Sequence, residues 1–129
     1  MGIGLVNDQH EAPRELEAKI LTLANLMAPL LTGARREEGN GMVTFLKNKG
    51  VTITIAAVQT PAPAKAGQSW KTSWTIEAAA VNDRLRPVHT YLWDETRGVW
   101  LRTKNNNPPS EVAEPVVLSE LASSFNRTN

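Results

Sequence analysis

Apolar residues recur along this chain with two different periods. Leu16, Ile20, Leu23, Met27 and Leu31 follow one another at steps of four, three, four and four, the spacing of one helix face. The pattern predicts an amphipathic helix over residues 13–31, with Pro13 at the first helical position, where its missing N–H costs nothing. Leu21, Leu26 and Leu30 widen the apolar surface beyond a single stripe. Pro29 is expected to kink or end the helix near Ala28, and Gly33 closes the segment. Residues 34–41, ARREEGNG, read as a polar connecting loop, with Arg35 and Arg36 as its candidate contact residues.

The period then drops to two. Residues 42–46 and 51–58 predict two strands joined by Lys47-Asn48-Lys49-Gly50. Pairing Leu46 with Val51 sets Met42, Thr44, Leu46, Val51, Ile53 and Ile55 on one face. Val43, Phe45, Thr52, Thr54 and Ala56 fall on the other. Residues 60–68 are rich in Pro and Ala and read as a long loop that cannot be a central strand. In residues 69–81, Trp70, Thr72, Trp74, Ile76, Ala78 and Ala80 alternate with Lys71, Ser73, Thr75, Glu77 and Ala79, a half-buried strand with tryptophans on its core side. Residues 82–86 make a turn.

Residues 87–104, PVHTYLWDETRGVWLRTK, predict a hairpin whose four-residue loop, 95–98, uses Gly98 at positive φ. That loop sets Asp94 opposite Val99, Trp93 opposite Trp100, Tyr91 opposite Arg102 and His89 opposite Lys104. Alternation then sorts the hairpin into an aromatic-basic face and a face of Val88, Thr90, Leu92, Val99, Leu101 and Thr103. The Val/Leu face is expected to belong to the core. Residues 104–114 read as an extended linker, because three asparagines and two prolines end the strand. A short helix follows over 115–125, docking through Leu118, Leu121, Ala122 and Phe125.

The expected architecture is α+β: an N-terminal amphipathic helix, an antiparallel meander of about five strands and a short C-terminal helix. At 129 residues the chain suits a single domain, 1–129, with a loose lead-in over 1–12. A net charge of +1 gives no bulk attraction to nucleic acid, so any such binding must come from local patches. The absence of cysteine excludes disulfides, thiolate nucleophiles and Cys-based zinc sites. There is no secretory pattern at the N-terminus and no transmembrane-length apolar run, so a cytoplasmic or intracellular setting without membrane contact is expected. The size, the lack of cysteine and the helix-plus-sheet plan would also suit a virion, as a small virus or phage structural component.

Candidate chemistry is sparse. His10-Glu11 does not continue as HExxH, because residue 14 is Arg. Gly39-Asn40-Gly41 lacks the Lys-Ser/Thr of a phosphate loop. Neither a cofactor nor a metal is implied, and an enzyme would have to be a small pocket enzyme without a linear motif. The candidate binding residues are His89, Tyr91, Trp93, Trp100, Arg102 and Lys104 on the hairpin face, with Arg84, Arg86 and Arg97 at its two ends. Aromatic and basic side chains on one sheet surface suit single-stranded nucleic acid, whose bases stack and whose phosphates are tracked by cations. The same residue types are enriched at protein interfaces. With apolar groups on both faces of the first hairpin, the leading expectation is a non-enzymatic binding or structural protein that forms a homo-oligomer. A single-stranded nucleic-acid-binding module is the alternative.

Overall fold

The computed structural model describes residues 13–47, 49–62, 71–104 and 107–127, and gives backbone alone for residues 60–62, 71–73, 104 and 107. The predicted lead-in, Trp70 and the stretch 63–68 of the predicted loop lie outside the described residues.

The first helix, α1, spans Arg14–Met27 and buries Leu16, Ile20, Leu23, Ala24 and Met27. Pro29 acts as expected: the α-helix stops at Met27 and one 3-10 turn, Ala28–Leu30, follows. The chain then enters a seven-stranded antiparallel meander, with strands in sequence order across the sheet. These are β1 Arg35–Gly39, β2 Met42–Leu46, β3 Thr52–Ala62, β4 Lys71–Val81, β5 Pro87–Asp94, β6 Val99–Lys104 and β7 Asn107–Val112. A second helix, α2, spans Glu114–Arg127 and buries Val117, Leu121, Ala122 and Phe125. The α+β meander is as expected, but the sheet has two more strands than the five predicted.

Both additional strands are edges. The segment read as a polar loop forms β1, which pairs with β2 through a two-residue turn at Asn40-Gly41. Both turn residues have positive φ, 54° and 70°, the backbone that matches a tight turn to strand twist. The linker forms β7, where Pro108 and Pro109 are tolerated because this edge strand leaves one side unpaired and its pairing with β6 shifts register between Ser110 and Asn107. Arg35–Glu37 and Arg36–Glu38 ion pairs line β1. Charge at one edge and proline at the other oppose further strand addition.

Two other expectations are corrected. The β2–β3 register is Val43 with Ile55 and Phe45 with Ile53, one residue from the predicted pairing. The slip puts Val43, Phe45, Ile53 and Ile55 on one buried face instead of splitting them between two. β3 also runs through Thr60 and Pro61 to Ala62, paired only with β4 there, because β2 reaches no further than Ala56. Pro61 thus sits in a locally one-sided ribbon, not in a central strand.

α1 and α2 lie on the same face of the sheet and bury one core. That core joins Phe45, Ile53, Ile55, Ile76, Ala78, Ala80, Tyr91 and Trp100 to the apolar stripes of both helices. The opposite face carries no element among the described residues.

Candidate functional site

The β5–β6 hairpin has the register read from the sequence: Asp94 opposite Val99, Trp93 opposite Trp100 and Tyr91 opposite Arg102. Asp94 takes the Gly98 N–H on its carbonyl at 2.8 Å, and Gly98 has φ 66°. The expectation of which face is core is reversed. Tyr91 and Trp100 are fully buried beneath the helices, with 0% and 1% exposure. Leu92, Val99, Leu101 and Thr103 are only half-buried, on the open side, and Val88 is exposed at the bulge that interrupts β4–β5 pairing. Tyrosine and tryptophan bring far more apolar surface than Val or Thr, so covering that face stabilises the fold more.

Two clusters join α2 to the aromatic face. In the first, Tyr91 donates its hydroxyl to Glu120, and Arg102 donates to both Glu120 carboxylate oxygens, through Nε at 3.2 Å and through Nη2. Burial pushes the Tyr91 phenol well above its ordinary pKa, and the carboxylate beside it adds to the rise. The bond to Glu120 raises Arg102 in turn. Burial alone would raise the Glu120 carboxyl, but the bonds from Tyr91 and Arg102 outweigh it and hold its pKa below the ordinary value. His89 stacks on Tyr91 with centroids 6.1 Å apart. None of Tyr91, Arg102 and Glu120 is poised to exchange a proton near neutral pH, as acid–base catalysis requires. The cluster is built to hold charge in place.

In the second cluster, Trp93 and Trp100 meet at 5.3 Å. The Trp100 Nε1–H donates to Glu114 at 3.1 Å, and Lys19 on α1 pairs with the same oxygen at 3.3 Å. Lys19 also lies 4.1 Å over the Trp93 ring. A shallow groove opens beside this cluster, bounded by Gly98, Glu111 and Ala113.

The remaining candidates do not share that place. Arg97 sits in the β5–β6 turn and is ion-paired with Glu111. Arg84 and Arg86 lie exposed in the β4–β5 turn, at the opposite end of the sheet. Lys104 ends β6 at that same end. Lys47, in the β2–β3 connection, donates to the Phe125 carbonyl and covers the Phe125 ring at 4.5 Å. Sequence reasoning missed Lys19, Glu114 and Glu120. Charge matching could have found Glu120: a packed arginine on β6 needs an acid, and Glu120 falls between Val117 and Leu121 on the packed side of α2.

Among the described residues no three His, Asp or Glu side chains converge as a metal site, and no helix is long and apolar enough to cross a membrane. No family model matches the chain, and no curated protein or solved structure matches it either.

Proposed function

We propose that this is a non-enzymatic structural or binding protein that self-associates through the uncovered face of its sheet. The observation that carries the reading is the composition of that face. Across β2 to β6 it presents Met42, Leu46, Ala56, Val58, Leu92, Val99 and Leu101 among Thr44, Thr54, Thr75, Thr90 and Thr103. Among the residues of these strands whose side chains are described, only Glu77 and the strand-end Asp94 bring charge to it. A broad surface of small and apolar side chains fits face-to-face sheet stacking, in which two such layers pack about 10 Å apart. The guarded edges argue against growth by strand addition, so a second copy is expected on the face and not beside it. The outward residues of α1, Leu21 and Leu26, are 42% and 48% exposed and offer a smaller secondary contact.

Light scattering across a size-exclusion peak tests the reading. The wild-type protein is expected to run at a multiple of its chain mass. Leu92→Asp and, separately, Ala56→Lys should reduce it to one chain with unchanged near-ultraviolet circular dichroism, since both positions lie outside the core. A wild-type protein that stays monomeric at high concentration rules the proposal out.

A further inference from the structure

Ion pairing divides the basic residues into two groups. Five of them are matched to acids: Lys19 with Glu114, Arg35 with Glu37, Arg36 with Glu38, Arg97 with Glu111 and Arg102 with Glu120. Arg14, Lys49, Arg84, Arg86 and Arg127 are exposed and take part in none of the ion pairs among the described residues; Arg14 opens α1, apart from the other four. These four gather at one end. Lys49 precedes β3, Arg84 and Arg86 sit in the turn between β4 and β5, and Arg127 ends α2. The strand pairs Thr52–Val81 and Val81–Pro87 fix that adjacency, and Lys47 brings the end of α2 to the same place. Asp83 is the one described acid in the turn.

The β4–β5 turn is held in one shape. The Asn82 carboxamide oxygen accepts the Arg84 and Arg86 backbone N–H groups, both at 3.0 Å. The Asn82 N–H donates to the Arg86 carbonyl at 2.9 Å, and the Leu85 N–H donates to the Asn82 carbonyl at 2.9 Å. Leu85 between the two arginines has φ 61° and is 85% exposed. A non-glycine residue in that left-handed region is strained, and strain of this kind gathers at functional segments. The turn presents two charged side chains on a pre-ordered backbone.

We infer that this end of the sheet is a binding site for the phosphodiester backbone of single-stranded nucleic acid, with Arg84 and Arg86 at its centre and Lys49 and Arg127 beside them. Its width decides the class of anion. From the start of β3 to the start of β5 is two strand spacings, roughly 10 Å, too broad for one phosphate and suited to a run of them. An anionic membrane is disfavoured because Leu85 is the only large apolar residue exposed in the turn. The site is separate from the buried aromatic cluster and from the open face, so it stands independently of self-association.

Fluorescence anisotropy with a labelled, mixed-sequence single-stranded oligonucleotide over a salt series tests the site on the full chain. The wild-type protein binds at low salt and weakens linearly on a log–log plot. Arg84→Ala with Arg86→Ala weakens binding and makes the slope shallower by about 1.4, two phosphate contacts at about 0.7 each on a single strand. Arg84→Lys with Arg86→Lys keeps most of the binding. Absence of wild-type binding at low salt overturns the inference, as does an alanine variant with unaltered slope. Binding to phosphatidylserine vesicles but not to the oligonucleotide overturns it too. So does salt-sensitive self-association without oligonucleotide binding, which would mean that this end pairs with acids of another copy.

Discussion

Arg102 and Glu120 illustrate how a charged side chain is kept against an aromatic core. Each is about one-third exposed or less, 27% and 31%, so neither charge is fully stripped of water. The Tyr91 hydroxyl supplies a third bond to the carboxylate. Because the Glu120 pKa is lowered on folding, its stabilising contribution is present above the ordinary carboxylate range and is lost as pH falls through the lowered value. Glu120→Gln is therefore expected to cost about 1.5–3 kcal/mol at neutral pH, the usual worth of hydrogen bonds to charged groups, and progressively less toward strong acid. Urea unfolding midpoints of both proteins measured at neutral and acid pH check this; a cost independent of pH contradicts the assignment. Tyr91 has the opposite dependence: its raised pKa means that stability falls as pH rises above the ordinary phenol range.

At the scale of elements, the legible parts were those whose own sequence decides them. The α1 stripe, the stop at Pro29 and the β5–β6 register all follow from local spacing and turn chemistry. The edge strands were hidden for a physical reason: Arg35, Arg36, Glu37 and Glu38 make a strand polar because it closes the sheet, and prolines mark β7 for the same purpose. Asn40-Gly41 was the readable signal for β1, since both residues tolerate the positive φ of a tight hairpin turn. The β2–β3 register was recoverable by asking which pairing joins Phe45 to Ile53. Gly41→Val places a β-branched residue at φ 70°. It is expected to cost about 1–2 kcal/mol and to speed amide exchange in β1 while leaving β4 protected. Equal protection in β1 of both proteins would show that the turn does not hold the strand.

At the scale of the molecule, the face that became core depended on elements far apart in sequence. Viewed alone, the hairpin's Trp/Tyr/Arg side resembles a ligand surface and its Val/Leu side a core. Only Glu114 and Glu120 on α2, with Lys19 on α1, turn the former into an interior, because they match its polar atoms. The candidate residues thus separate into a packed set, Tyr91, Trp93, Trp100 and Arg102, and an exposed set, Arg84 and Arg86. No local pattern could make that division, since both sets have the composition of a binding surface.

The position of α2 also has a consequence for biosynthesis. All seven strands precede α2 in the chain, so the sheet is covered on its second half by an element made after it. Without α2, Tyr91 and Trp100 lack their second cover, and the sheet is open to aggregation. A chain stopped after Ala113 makes this state permanent. It is expected to enter the insoluble fraction, or to show red-shifted tryptophan emission if kept soluble, with a peptide spanning 114–127 restoring the blue-shifted spectrum. A soluble truncated chain with native emission would mean that the sheet and α1 suffice. Otherwise the docking of α2 onto a sheet made before it sets the yield of folded protein.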